Sequence, residues 1–235
     1  MTNTQQKIIP NLWFDRNAEE AGEYYTSVFQ GATSIVGAHY PAELPTWQSD
    51  FAGKVLTVDL VIDGYLMTLI NAGDEFRPNP SISFMLNFDP LFFGGDVDAA
   101  RARLNEVWAG LTDGGQVLMA LVEYPFSPRY GWVQDRYGVN WQLMLTDPEG
   151  DPRPFVIPQL MFAGPADAGS VMFGEFQLAG QWFSMMDSAA EQCGWLADRY
   201  GVSWQIVPEN MGELMARPGA YDRMLEMKKL VIADF

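Results

Sequence analysis

Apolar residues fall at Ala21, Tyr24, Tyr25, Val28 and Phe29, the i, i+3, i+4, i+7, i+8 spacing of a helix with one buried stripe. The pattern predicts a helix over 17–29, with Asn17 and Glu20 as a capping pair and Gly31 as the stop. A second stripe, Val97, Ala100, Leu104, Val107, Trp108 and Leu111, predicts a helix over 96–110, started by Asp96 or Asp98. Around these helices the period falls to two. Strands are predicted at 7–14, 33–40, 54–63, 65–71, 81–88, 116–124, 130–135 and 139–145. The resulting order is β-α-β-β-β, performed twice. Asp63-Gly64 between two β-rich runs reads as a hairpin turn, and Tyr137-Gly138 as a tight turn into a strand.

The chain also repeats itself. YGWVQDRYGVNWQLML at Tyr130–Leu145 returns as CGWLADRYGVSWQIVP at Cys193–Pro208. IIPNLWF at Ile8–Phe14 matches VIPQLMF at Val156–Phe162, and VLTVDLVIDGYLMTLINAG at Val55–Gly73 resembles VMFGEFQLAGQWFSMMDSA at Val171–Ala189. Ala179-Gly180 thereby becomes the counterpart of the Asp63-Gly64 turn, and Tyr200-Gly201 that of Tyr137-Gly138. The distance between matched segments shrinks along the chain, so the second copy lacks pieces that the first contains. Those pieces are the two predicted helices and the strand SISFMLNF. Without helices one sheet face is left bare to water. Covering material is therefore expected from residues missing from this sequence or, after a true deletion, from a helix donated by another chain. TDPEGDPRP at Thr146–Pro154 reads as a linker. The expected organisation is a first module at 5–148, a linker at 149–154, an abbreviated second module at 155–208 and a C-terminal helical segment at 209–235.

Charge narrows the partners. With 14 Lys and Arg against 30 Asp and Glu, the formal net charge is −16. Such a surface repels phosphate backbones and anionic lipid, so neither nucleic acid nor a membrane is an expected partner. No apolar run approaches the ~20 residues of a spanning helix, and no secretory signal pattern opens the sequence. Cys193 is the only cysteine, which suits a reducing cytoplasm.

The segments IIPNLWFDRNAEEAGEYYTSVF, VLTVDLVIDGYLMTLINAG and GW-x-x-DRYGV-x-WQ resemble the PhnB-like branch of the vicinal-oxygen-chelate superfamily, which includes glyoxalase I, bleomycin-resistance proteins and extradiol dioxygenases. The resemblance implies an α+β fold of tandem glyoxalase-like modules, paired β-α-β-β-β units whose curved antiparallel sheets form a cup for a small molecule. It also implies a homodimer. The branch is often labelled a 3-demethylubiquinone-9 3-methyltransferase. No glycine-rich strand-to-helix turn suited to S-adenosylmethionine accompanies that label here.

Metal-dependent relatives hold a divalent ion with His and Glu side chains drawn from several strands. By the resemblance, the terminal Glu maps onto Gln142 and Gln205, and a His position onto Ser81. The first strand offers Asn11 and Gln159, and the strand after the hairpin offers Thr68 and Ser184. Amides and hydroxyls are weak ligands for a hard cation. The one histidine, His39, near the end of a predicted strand, reads as a surface residue. Alternation places Asn140, Gln142 and Met144 on one face against Trp141 and Leu143, and Ser81, Ser83 and Met85 against Ile82, Phe84 and Leu86.

The candidate cup residues are Asn11, Trp13, Thr68, Ser81, Ser83, Asn140, Gln142, Gln159, Ser184, Ser203 and Gln205. Trp132 and Trp195 read as core or interface anchors, with ligand stacking as the alternative. Arg136 and Arg199 read as partners of the preceding Asp135 and Asp198 or of turn carbonyls, with an anionic ligand as the alternative. No catalytic Ser-His-Asp or Cys-His set can be assembled around a lone His39. The sequence thus points to a small-organic-molecule-binding protein without a metal or other cofactor. A divalent-metal-dependent lyase, isomerase or dioxygenase of the same fold is the alternative, and a ligand-free dimerisation module is a third reading.

Overall fold

A computed structural model describes residues 6–147, 153–162, 173–187, 195–197 and 203–205. The expected C-terminal helix, Arg199 and Cys193 lie outside them. Within them the predicted order is found: β1 Asn11–Asp15, α1 Ala18–Val28, β2 Thr33–His39, β3 Val55–Ile62, β4 Tyr65–Ala72, β5 Ile82–Phe88, α2 Val97–Thr112, β6 Gln116–Tyr124, β7 Ser127–Gln134 and β8 Asn140–Leu145. Then follow β9 Val156–Phe162, β10 Phe173–Leu178, β11 Gln181–Asp187, β12 Trp195–Ala197 and β13 Ser203–Gln205. Two short 3₁₀ helices, Thr46–Phe51 and Pro90–Phe93, are too short to carry a hydrophobic period. No described helix is long and apolar enough to cross a membrane.

The strands form a four-stranded sheet, β1-β4-β3-β2, a seven-stranded sheet, β10-β11-β9-β5-β8-β7-β6, and the pair β12-β13. The order β9-β11-β10 repeats β1-β4-β3. Both hairpins also turn alike: Asp63-Gly64 has φ 48° and 77°, and Ala179-Gly180 has 53° and 80°. Among the described residues neither large sheet closes into a barrel.

The expectation of antiparallel sheets needs correction, because both large sheets are mixed. β1 pairs parallel with β4, and β5 pairs parallel with β8. The helical crossover returns the chain so that β2 runs with β1, and two hairpins then bring β4 back in the same direction. By contact the chain divides into two compact units, one of residues 1–159 and 176–183, the other of 160–175 and 184–235.

Within the first unit one core unites both helices with both sheets. Leu12, Phe14, Tyr25, Phe29, Leu60, Met67, Leu69, Phe84, Leu86, Leu104, Leu111, Trp141 and Leu143 belong to it. Gly131 lets α2 settle: a Cβ there would lie 2.6 Å from the Trp108 ring. The glycine of the repeated GW is therefore a seat for a helix tryptophan.

Two local expectations fail for identifiable reasons. Asn17 makes no side-chain cap on α1. The cap comes from β4, where Asn71 Oδ1 accepts from the Ala18 amide at 2.8 Å while its Nδ2 donates to Glu19 and to the Val55 carbonyl. The predicted strand at 7–14 begins only at Asn11, because Pro10 has no N–H and side-chain amides hold the lead-in instead. Gln6 exchanges two hydrogen bonds with the Leu66 backbone, and Gln181 accepts from the Lys7 and Ile8 amides while donating to the Ile8 carbonyl.

The DRYGV-x-W motif folds around one carboxylate. Asp135 is buried. Its Oδ1 accepts from the Tyr137 and Val139 amides at 2.9 and 3.0 Å, closing the turn that Gly138 (φ 88°) completes. Its Oδ2 accepts from the Tyr25 hydroxyl at 2.7 Å and from Trp141 Nε1 at 2.8 Å. Burial pushes this carboxyl above its ordinary range, and the four donors pull it part of the way back. Arg136 does not pair with Asp135, which has no oxygen to spare. It binds the side chain and carbonyl of Asp113 at the end of α2 and lies over the Tyr24 ring.

Replacing Asp135 by Asn puts an N–H₂ among four donors, of which only the Tyr25 hydroxyl can turn to accept. Asp135→Asn should lower unfolding free energy by about 3 kcal/mol, as expected when a buried hydrogen-bonded charge is lost and its donors are left unpaired. Urea denaturation checks this, and Tyr25→Phe, which removes one donor, should cost only about 1 kcal/mol.

Candidate functional site

The seven-stranded sheet has two chemically different faces. Phe84, Leu86 and Phe88 of β5, Val133 of β7 and Trp141, Leu143 and Leu145 of β8 enter the helix-covered core. The alternating residues build the opposite face. Register places Ser83 beside Asn140, Met85 beside Gln142 and Asn87 beside Met144. Across β7 and β8, Gln134 lies beside Asn140, Trp132 beside Gln142 and Tyr130 beside Met144. On the far side of β5, the Asn87 amide donates to the Phe155 carbonyl at 2.8 Å, and Met85 packs with Ile157. Gln159 shares the parity of Ile157 on β9 and so takes the same face.

Two rows result. One is polar and uncharged: Ser83, Asn140 and Gln134, with Gln159 of β9 on the same face. The next is mainly apolar: Ile157, Met85, Gln142, Trp132 and, on β6, Met119. Met85, Tyr130 and Ile157 form a small cluster with Met119, Tyr124, Met144 and Trp182 packed against it.

The polar atoms in these rows divide into those already engaged and those left over. Tyr130 donates to Gln142 Oε1 at 2.6 Å, and Gln142 Nε2 donates to Ser83 Oγ at 2.9 Å. Asn140 Nδ2 and Gln134 Nε2 both donate to the Gly138 carbonyl. Asn140 Oδ1, both amide atoms of Gln159 and Trp132 Nε1 are buried without a partner. A buried polar atom without a partner costs about 1–3 kcal/mol, so several on one face ask for a reason. A polar molecule resting on that face is one.

Of the other expected cup residues, Asn11, Trp13 and Thr68 lie on the four-stranded sheet. Asn11 is exposed and donates to the Ile9 carbonyl. Trp13 Nε1 donates to the Gly73 carbonyl at 2.9 Å, with the Phe76 ring edge-on to it. Thr68 donates to Asp59. Ser81 is buried, but its hydroxyl is taken by Asn79 Oδ1 at 2.5 Å. Ser184 on β11 is buried with its Oγ unpartnered. Ser203 and Gln205 belong to β13, opposite Ala197 and Trp195. The residues brought together on one face are thus Ser83, Asn140, Gln142 and Gln159. His39 is exposed at the end of β2.

The sequence analysis gives no place on this face to Tyr130 and Gln134, and gives Trp132 one only as the alternative of ligand stacking. The signal was present, since the three share one parity on β7, as Asn140, Gln142 and Met144 do on β8.

Burial pushes the Tyr130 phenol well up, and does the same to Tyr25, Tyr65 and Tyr24. A group with a raised folded value contributes stability that is complete below its unfolded value and is lost as pH rises through the folded one. Stability should therefore fall as pH climbs above about 10, where unfolded tyrosines ionise. Tyrosinate absorbance should show these phenols titrating only as the fold is lost, and Tyr130→Phe should make the decline shallower.

The sequence profile of the family described as 3-demethylubiquinone-9 3-methyltransferase matches residues 6–144 and 187–207. Among solved structures, the chain is similar to a PhnB protein from Bacillus cereus, at 28% identity and TM-score 0.48 over 60% of this chain and 100% of that one. A protein from Pseudomonas aeruginosa is similar at 23% identity and TM-score 0.46, over 60% and 98% of the two chains. A glyoxalase-related enzyme from Fulvimarina pelagi follows at 11% identity and TM-score 0.38, over 60% and 89%. No curated protein matches the chain.

Proposed function

Because the chain belongs to the 3-demethylubiquinone-9 3-methyltransferase family, in the PhnB-like branch of the glyoxalase superfamily, we propose that it binds a small, uncharged organic molecule on the face formed by Ser83, Asn140, Gln142 and Gln159. The reading is carried by Gln159, whose buried amide has neither its donor nor its acceptor engaged. On the same face Asn140 Oδ1 adds an acceptor, and Trp132 Nε1 adds a donor. Met85, Met119, Met144 and Trp182 supply apolar, adaptable walls. A ligand with a polar edge and an apolar body matches both rows.

The superfamily's divalent-metal chemistry does not fit this donor set. Ser83, Asn140 and Gln159 offer neutral oxygens and nitrogens, and the carbonyl oxygen of Gln142 is already bound by Tyr130. Among the described residues no group of three His, Cys, Asp or Glu side chains converges. Asp135, five residues before Asn140, is consumed by four donors on the core side. Methyl transfer, named in the family's description, requires a bound methyl donor. β1 enters α1 through Arg16-Asn17, and β5 enters α2 through the turn beginning at Pro90. Neither carries a glycine-rich dinucleotide-type pattern.

Gln159→Met separates function from stability. Removing two unpartnered polar atoms at nearly constant volume should stabilise the ligand-free protein by about 1 kcal/mol. It should also abolish the rise in thermal midpoint caused by a small aromatic compound found in a screen of the unsubstituted protein. If Gln159→Met destabilises and leaves the ligand shift intact, the face is not the site.

Nickel, zinc, manganese and iron salts should leave the thermal midpoint unchanged. A stoichiometric transition metal retained by protein purified without chelator would reverse the ranking of binder over enzyme.

A further inference from the structure

The buried side-chain amides among the described residues are Asn71, Asn87, Asn140, Gln142 and Gln159. The fold uses all but the last. Asn71 accepts from the Ala18 amide and donates to Glu19 and to the Val55 carbonyl. Asn87 Nδ2 donates to the Pro154 carbonyl at 2.9 Å, and Asn140 Nδ2 donates to the Gly138 carbonyl at 3.1 Å. Gln142 is engaged at both ends, by Tyr130 and by Ser83. Gln159 is engaged at neither. Its Nε2 and Oε1 are both buried without a partner, so one planar group presents a donor and an acceptor side by side.

Such a pair selects its own complement. A group that fills both positions must carry an N–H donor and an acceptor on neighbouring atoms of one edge, as adenine does for the two hydrogen bonds of an Asn or Gln side chain. An open-chain secondary amide cannot do so, because in the trans form its N–H and C=O point in opposite directions. A ring amide can. Closure of a small ring holds the bond cis, and both groups then face the same way. A ketone or an ether fills one position and leaves the other buried and unpaired. A carboxylate offers acceptors alone, and would set one of them against Gln159 Oε1 in a chain of net charge −16.

We propose that the ligand of this face is a cyclic amide (a lactam, a cyclic imide or a cyclic ureide) that pairs edge to edge with the Gln159 carboxamide. The inference rests on the ligand face proposed above and names the chemical class it takes. The ring N–H donates to Gln159 Oε1, and the ring carbonyl accepts from Gln159 Nε2. The other unpartnered groups on the face suit further atoms of such a ring. Trp132 Nε1 donates to a second carbonyl, and Asn140 Oδ1 accepts from a second N–H. The flat, uncharged ring offers its apolar surface to Met85 and Trp182.

The probes are 2-quinolone, a lactam edge on a fused aromatic body, and its N-methyl derivative, which keeps the body and carbonyl but lacks the N–H. Both are titrated into the full chain. Binding is read from the thermal midpoint and from the side-chain amide resonances of Gln159, identified by their absence from Gln159→Met. 2-Quinolone should raise the midpoint and displace those resonances. The N-methyl compound should bind at least about tenfold more weakly, because it leaves Gln159 Oε1 unpaired and crowds it with a methyl group. Neither should raise the midpoint of Gln159→Met. Equal affinity of the two probes for the unsubstituted chain overturns the cyclic-amide assignment. The ligand face survives that result if Gln159→Met still abolishes binding of both, and falls with it if binding persists. Failure of 2-quinolone to bind at all also overturns the assignment; another neutral compound whose thermal shift depends on Gln159 would then keep the face. Should Gln159→Met not fold, the comparison of the two probes on the unsubstituted chain decides alone.

Discussion

A single buried carboxylate fixes the geometry on which the candidate site depends. Asp135 ties the β7–β8 turn to itself through two backbone amides, to α1 through Tyr25 and to β8 through Trp141. Trp141 is held with its indole in the core, and strand alternation then obliges Asn140 and Gln142 to face the other way. A charge in such a place is tolerated only because every lone-pair direction meets a donor. The same demand explains the residue types of the motif: an acid to accept, a glycine to allow the left-handed turn, and a tryptophan to donate. The second occurrence, at Asp198–Trp204, repeats all three in sequence.

The seven-stranded sheet is therefore a wall between two solvents. On the helix side the side chains are apolar and saturated with contacts. On the other, amides and hydroxyls alternate with methionines and aromatics. The Tyr130–Gln142–Ser83 chain shows that part of this polarity is structural, since each hydrogen bond there satisfies another member. Asn140 and Gln159 are different. Leaving their atoms unpaired costs folding free energy that Met or Leu in the same places would not. A sequence that keeps amides there gives up stability at a site, which is the pattern expected where a ligand completes the hydrogen bonding.

Much of this is legible in the order of residues alone. Helix stripes such as Ala21–Tyr25–Val28 and the period-two runs mark each helix and strand of the first copy, because burial on one side writes its period into the sequence. Ser83, Asn140, Gln142 and Gln159 are recognisable as inward polar residues by parity and by resemblance. What stays hidden depends on contacts distant in sequence. Asn71 caps a helix that begins fifty-three residues earlier, Gln181 anchors the lead-in to β1, and Arg136 chooses Asp113 over its neighbour. The separation of Asn11, Trp13 and Thr68 from the other candidates is equally hidden, since parity tells which face of a strand a residue takes but not which sheet the strand joins.

Charge adds a constraint on what the face can hold. An acidic chain carries a negative potential over its surface, so an anionic ligand must approach against the field, and the guanidinium beside these rows, Arg153, lies over the Trp182 ring. A cation would be drawn inward, but among the described residues Ser83, Asn140, Gln142 and Gln159 offer it no carboxylate, and neutral amide oxygens recover little of its lost hydration. Long-range attraction is in any case screened within about 8 Å at physiological salt. For the proposed ligand, selection then passes to short-range terms: an apolar body against Met85 and Trp182, and a donor–acceptor edge against Asn140 and Gln159. A neutral molecule satisfies both without the desolvation penalty of a charge.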